Sequence, residues 1–167
     1  MVREATEDVA IGVAQSGEPG QAEASTLTRG RSHRLETVDP ALYHELHNAD
    51  QVVIDAYVRQ VTQQVAFGPG PELSPTAQSV ARTLISGRWP SDAEWSALRS
   101  EYDWARLMAG SQRPGLIGVE EPTQLLNYQT DFMMCRRLET LVCWEDTTPA
   151  DIVYAARAAG VVVPLVP

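Results

Sequence analysis

Apolar residues from position 42 onward recur at the three- and four-residue spacing of amphipathic helices. The first series runs up to the helix-breaking segment Gly68-Pro69-Gly70-Pro71 and consists of Leu42, Leu46, Val53, Tyr57, Val61 and Val65. Spacings of four and seven residues place these side chains on one helical face. Asn48-Ala49-Asp50 lies within the series, so the pattern predicts either one long helix or two in succession.

The same spacing continues in four later segments. The apolar positions are Val80, Leu84 and Ile85, then Trp95, Leu98, Tyr102 and Ala105, then Leu125, Tyr128, Phe132, Cys135 and Val142, and finally Ile152, Val153, Ala156 and Ala159. In the longest of these segments Leu126, Met133, Leu138 and Leu141 widen the apolar stripe. We therefore expect that helix to be covered on both flanks.

Helix start signals precede most of these segments. Asp39-Pro40, Ser74-Pro75 and Thr148-Pro149 each place a side-chain acceptor at the N-cap and proline at the first helical position. Ser91 to Glu94 has the Ser-x-x-Glu pattern of a capping box, and Pro122 opens the longest segment. Because no hairpin pattern occurs, the predicted fold class is all-α, with five or six helices in one domain.

The two ends of the chain differ from this pattern. Residues 1–37 hold no aromatic residue and no lasting period, which predicts an extended or disordered arm before a single helical domain at 38–167. A basic cluster in the arm (Arg29, Arg31, His33 and Arg34) is either solvated or orders on an acidic partner. The extended apolar tail, residues 161–167, either closes the core of the domain or contacts a partner.

Charge excludes several classes of function. The chain has 167 residues with 22 acidic and 13 basic side chains, a net charge of −9, and all 13 basic residues are arginine. This balance argues against nucleic acid or an anionic membrane surface as a partner, since both need clustered positive charge. Without lysine there is no Schiff-base lysine and no P-loop lysine. The arginine bias itself is typical of a GC-rich genome.

Cysteine spacing and hydropathy indicate a reduced, cytoplasmic protein. Cys135 and Cys143 are eight residues apart on a predicted helix, which corresponds to about 12 Å and is too long for a disulfide. Both are expected to pack structurally. No apolar run is long enough for a transmembrane helix, and the acidic start of the chain is unlike a secretory signal.

Candidate chemistry is sparse. A carboxylate-bridged di-iron site in a helical bundle needs Glu-x-x-His twice, and none of the histidines, His33, His44 and His47, has glutamate three residues before it. His44 and His47 form at most a two-ligand face. Nucleotide-binding and nucleophile-elbow motifs do not occur. We therefore expect no catalytic, cofactor-binding or metal-binding residues in this chain.

The four tryptophans are better candidates for interaction than for catalysis. Trp95 fits a core face, whereas Trp89 and Trp144 lie at helix ends, where an indole either closes a core or forms an interface hot spot. Together with the basic cluster and the apolar tail, they define the candidate partner interface: Arg29, Arg31, Arg34, Trp89, Trp144, Val162 and Leu165.

Residues 122–163 carry a recognisable series of motifs. These are Leu126-Asn127-Tyr128, Asp131, Arg136-Arg137-Leu138-Glu139-Thr140-Leu141, Asp146-Thr147-Thr148-Pro149 and Gly160-Val161-Val162-Val163. The series resembles the gamma subunit of soluble methane monooxygenase-type hydroxylases, the bacterial multicomponent di-iron hydrocarbon monooxygenases. Residues 74–110 match only in pattern, as a tryptophan-bearing helix before the Asn-Tyr helix.

The resemblance implies a non-catalytic subunit of an α2β2γ2 hydroxylase. In that family the alpha subunit holds the di-iron centre, and the gamma subunit is a small helical chain without iron ligands. Alpha and beta subunits of a methane, short-chain alkane or alkene monooxygenase are then the expected partners, which this chain would stabilise. Two alternatives remain: a stand-alone helical adaptor or regulator of an actinobacterium or its phage, and a small enzyme built around His44 and His47.

Overall fold

The computed structural model describes residues 34–111 and 122–165, with side chains from residue 126 onward in the second range. All regular secondary structure in these two ranges is helical, which confirms the all-α fold class. After a helical segment at 34–38, called α1, the helices are α2 (Pro40–Asn48), α3 (Gln51–Phe67), α4 (Pro75–Ile85), α5 (Asp92–Ser111), α6 (Pro122–Asp146) and α7 (Pro149–Ala158).

Helix starts lie where the sequence signals predicted them. The Asp39 side chain accepts a hydrogen bond from the amide of Leu42, and Ser74 does the same for Ala77. At α7 Thr148 and Asp151 form a reciprocal capping box. These contacts satisfy amide groups that lack a partner inside the first helical turn.

The first apolar series forms two helices. Ala49 and Asp50 have extended backbone conformations that separate α2 from α3. Leu42, Leu46 and Tyr57 from the two helices are nevertheless buried in one cluster. The apolar positions of the series therefore face the same core on both sides of the break.

Residues 34–38 correct the predicted end of the arm. They are helical, and Leu35 is only 1% exposed. Leu35 packs in the same cluster as Leu42 and Val163. Because of this apolar contact, residues 34–38 belong to the helical domain and are not part of an extended arm that ends at residue 37. Residues 1–33 lie outside the described ranges.

The core consists of two clusters. The first lies among the end of α3, α4, α5 and α6 and contains Ala66, Leu73, Ala77, Val80, Ala81, Leu84, Trp95, Leu98, Leu138 and Leu141. The second joins α1, α2, α3, α7 and the tail and contains Leu35, Leu42, Leu46, Tyr57, Val61, Val65, Val153, Ala156 and Val163. Helix α3 contributes to both clusters and so connects them.

Helix α6 is covered on several sides, as the widened stripe predicted. It packs against α3, α4, α5 and α7, and Arg137, Leu138, Thr140 and Leu141 are all buried. One flank differs from expectation, because Leu126 is 62% exposed. It lies in the second turn of α6.

The apolar tail returns to the body of the molecule. Val163 is buried in the second cluster, and its carbonyl oxygen accepts a hydrogen bond of 2.9 Å from the Tyr57 hydroxyl. Val162, one residue earlier, is 69% exposed. The tail therefore closes the core with one side and leaves the other accessible. Among the described helices, none has the length and apolarity needed to cross a membrane.

Candidate partner-binding surface

Arg137 is the most buried charged side chain in the described core. It projects from α6 and is 2% exposed. Its Nε donates to the carbonyl oxygen of Val65 at 2.6 Å, Nη2 donates to that of Gly68 at 3.0 Å, and Nη1 donates to that of Pro71 at 2.8 Å. Burial lowers the pKa of this guanidinium. The group nevertheless stays charged because an arginine pKa starts far above neutrality.

These carbonyls need an external donor. Those of Val65 and Gly68 lie at the C-terminal end of α3, where helix carbonyls lack partners inside the helix and carry partial negative charge. Pro69 and Pro71 supply no amide hydrogen to the following turn. A guanidinium presents five hydrogen-bond donors in one plane, so Arg137 fixes the end of α3 and the loop that follows it.

Gly70 completes this arrangement. Its φ of +130° is one that side chains disfavour, and a Cβ at this position would overlap Arg137 Nη1. The segment Gly68-Pro69-Gly70-Pro71, predicted as a helix breaker, thus also supplies main-chain carbonyl acceptors to the Arg137 guanidinium. Within the Arg136-Arg137-Leu138 motif, Arg137 therefore has a structural role.

Trp144 was a candidate interface residue, and the structure places it mostly in the protein interior. It packs against the first core cluster, and its Nε1 donates to Thr62 Oγ1 at 2.9 Å. Thr62 is fully buried, and its hydroxyl donates to the carbonyl oxygen of Val58. The indole therefore joins α6 to α3 through a satisfied polar pair.

Trp89 and Arg34 lie at the surface. Trp89 is 59% exposed, and its ring is tilted against that of buried Trp95 at a centroid separation of 5.3 Å. The Arg34 guanidinium lies 5.9 Å from the centre of the Tyr154 ring, and both residues line a depression of about 370 Å³. Arg29 and Arg31 lie outside the described residues.

Val162 and Leu165 have different environments. Val162 is exposed, whereas Leu165 is half-buried and packs on the second core cluster. Among the described candidates, Arg34, Trp89 and Val162 are therefore the ones accessible to a partner.

Two accessible residues were missed by the sequence reasoning. Trp104 is 63% exposed and Leu107 is 62% exposed, one helical turn apart on α5. The signal that could have found them is their offset from the apolar positions of α5, since Trp95 and Leu98 are buried on the opposite face. On an exposed helix surface an adjacent Trp and Leu form an apolar patch of the kind typical of interaction sites.

The histidine pair and the cysteines offer little chemistry. His44 and His47 are exposed on α2 beside the Tyr43 ring. Across the described ranges, no three His, Cys, Asp or Glu side chains are grouped in a way that could hold a metal ion. Cys135 is buried, and burial followed by the charge of Glu139 raises the pKa of its thiol, which disfavours a nucleophilic thiolate.

Comparison with known proteins identifies no relative. No family model, curated protein or solved structure matches this chain.

Proposed function

We propose that this chain is the non-catalytic gamma subunit of a soluble di-iron hydrocarbon monooxygenase hydroxylase, in which it binds and stabilises the alpha and beta subunits. The observation that carries the proposal is the role of the motif residues at 122–163. Arg137 closes α3, Leu138 and Leu141 fill the first core cluster, and Thr148 caps α7. The Arg136–Leu141 and Thr148-Pro149 motifs, which resemble those of the gamma family, therefore help to organise this fold.

Accessible apolar surface supports a role in assembly. Trp89, Trp104, Leu107 and Val162 each expose more than half of their surface. Trp104 and Leu107 lie one turn apart on α5, and adjacent large apolar side chains at a surface are typical of sites that bind other proteins. A subunit without a reaction centre would contribute this surface to a larger complex, in which burying it stabilises the assembly.

The proposal is tested by recovering the complex. The tagged full chain is expressed with the alpha and beta chains encoded beside it, and the purified material is examined by native mass spectrometry and iron analysis. We expect all three chains at equal stoichiometry, with iron bound to a chain that has two Glu-x-x-His motifs. A well-folded monomer that binds neither chain would overturn the proposal.

A second measurement separates stabilisation from passive binding. The alpha and beta chains are expressed with and without this chain, and their thermal unfolding is compared. Because a ligand that binds only the native state stabilises it by mass action, the unfolding temperature should rise when this chain is present. The same temperature in both preparations would contradict a stabilising role.

A further inference from the structure

One face of α5 has no partner in the described structure. It consists of six residues, here called the α5 seam: Ala93, Ala97, Ser100, Trp104, Leu107 and Ser111. All six are exposed. With about 100° of rotation per residue, they lie within a narrow stripe opposite buried Trp95 and Leu98. The helix therefore packs its other face on the core and presents the seam to the outside.

The seam is suited to losing its water. It contains no charged residue, and its two large members, Trp104 and Leu107, are more than 60% exposed. The Ser100 hydroxyl donates to the carbonyl oxygen of Ser96, and that of Ser111 donates to Met108, each at 2.9 Å. Because the hydroxyl protons are already used within the helix, covering the serines leaves no donor unsatisfied.

Seam spacing specifies the shape of the occupant. The six positions follow one another at intervals of four, three, four, three and four residues. This is the repeat through which two helices pack side chains into each other at a shallow crossing angle. Ala93, Ala97 and Ser100 permit a close approach at one end, while Trp104 and Leu107 provide bulk at the other. The fitting occupant is an α-helix.

The charged residues beside the seam indicate which charge the docking helix should carry. Glu94 and Glu101 border one side, and Asp92 and Asp103 border the other. The flanking basic residues lie further round the helix, where Arg99 pairs with Glu145 and Arg106 with Asp103. The rim with Glu94 and Glu101 is therefore acidic, whereas the opposite rim carries both signs because Arg106 pairs with Asp103.

The acidic rim disfavours a second copy of this chain. Two α5 helices packed antiparallel through their seams would bring Glu94 and Glu101 of one copy against Glu94 and Glu101 of the other, and like charges across an interface are unfavourable. A helix whose apolar seam has arginine or lysine residues along one side has complementary charge to the Glu94 and Glu101 rim and matching spacing.

We infer that the α5 seam docks an α-helix of the hydroxylase alpha or beta chain whose apolar stripe has basic residues along the side that faces Glu94 and Glu101. This inference rests on the proposed function and specifies the surface through which the complex forms. Trp104 is its central anchor, as expected for a large aromatic side chain that becomes fully desolvated in an interface.

The test uses the full chain with the alpha and beta chains of the same hydroxylase. The double variant Trp104→Glu, Leu107→Glu is compared with wild type by titration into the alpha–beta complex. We expect at least tenfold weaker binding, and we expect wild-type binding to weaken with added salt because the rim charges are screened. Val52→Glu is the matched control, since Val52 is 79% exposed on α3.

Outcomes distinguish this inference from the proposed function. If wild type does not bind, the proposed function fails. If wild type and the double variant bind equally, the proposed function stands and the α5 seam is not the interface. Circular dichroism and thermal unfolding establish that each variant is folded, which is expected because both positions are exposed.

A photo-reactive benzoylphenylalanine in place of Leu107 identifies the occupant directly. The expected crosslink joins the alpha or beta chain within a helical segment that carries arginine or lysine beside an apolar stripe. A crosslink to a second copy of this chain, or to residues 1–33 of the same chain, overturns the inference, as does a crosslinked partner segment with acidic flanks.

Discussion

Arg137 on α6 donates from its Nε to the main-chain carbonyl oxygen of Val65 on α3 at 2.6 Å. The contact joins residues 72 positions apart and places a buried cation at the negative end of a helix. Its partners are carbonyl groups rather than a carboxylate, so the charge is held by main-chain dipoles. The position of α6 against α3 depends on this side chain.

Replacing Arg137 is expected to destabilise the fold strongly. Arg137→Leu leaves several buried carbonyl groups without a donor and should lower the free energy of unfolding by about 3 kcal/mol. Arg137→Lys should recover only part of this loss, since an ammonium group cannot reproduce the planar fork of the guanidinium. Urea unfolding measures both. Arg106→Leu, at an exposed site, should change stability by no more than about 0.5 kcal/mol.

Gly70→Ala and Gly110→Ala should have opposite effects. At Gly70 the backbone has a φ of +130°, and a Cβ would meet the Arg137 guanidinium, so we expect destabilisation of about 1–3 kcal/mol. At Gly110 a Cβ meets no atom within 4 Å. Because alanine favours helix, that change should stabilise by about 0.5–1 kcal/mol. Thermal unfolding of the two variants measures the contrast. Equal effects would refute the claim that Gly70 leaves room for the Arg137 guanidinium.

Thr62→Val tests the polar pair that holds Trp144. Removing the hydroxyl leaves the partly buried indole Nε1 without its acceptor, which should cost about 1 kcal/mol of stability. Thr83→Val is the matched control, because Thr83 makes the same hydrogen bond to a carbonyl one turn earlier but at an exposed position. Guanidinium unfolding compares the variants. Equal losses would show that the indole does not depend on Thr62.

Tyr57 should make stability sensitive to alkaline pH. Burial raises the pKa of its phenol above the ordinary 10.0, and the protonated hydroxyl donates to Val163. A phenol with a raised pKa in the folded state contributes stability that is fully present below pH 10 and is lost as the pH rises through the folded pKa. Tyr57→Phe should lower stability by about 1 kcal/mol at neutral pH and flatten the alkaline decline.

The check on Tyr57 is a series of urea unfolding curves from pH 7 to pH 11. Tyr43→Phe, at a half-buried position on α2, serves as the control. It should leave the slope of the alkaline decline unchanged. If Tyr57→Phe also leaves that slope unchanged, another group is responsible for it.

Most of the local structure could be predicted from the chain. Asp39, Ser74 and Thr148 cap the helices that follow them because a short side-chain acceptor satisfies the amides next to it in sequence. Trp95, Leu98, Val153 and Ala156 are buried as their helical spacing predicts. These features depend on neighbours within one or two turns, so the sequence contains their causes.

The exposure of the candidate interface residues was predicted less completely, because exposure is decided by what packs against each residue. Trp144 and Leu165 are of residue types common in interfaces, yet α3 partly covers Trp144 and the second core cluster partly covers Leu165. Trp104 has the same residue type as Trp95, nine positions earlier, and lies on the opposite face of α5. Composition alone does not separate the two environments.

By itself, the sequence determined the helical class, the starts of α2, α4, α5, α6 and α7, and the absence of a Glu-x-x-His pair. Each follows from short-range hydrogen bonding, periodicity or residue identity. Only the tertiary structure decided that Arg137 would close α3, that Val163 and not Val162 would enter the core, and that the described residues would leave the α5 seam uncovered. These outcomes depend on how segments distant in sequence pack together, because the burial and the hydrogen-bond partners of each residue are set by several segments at once.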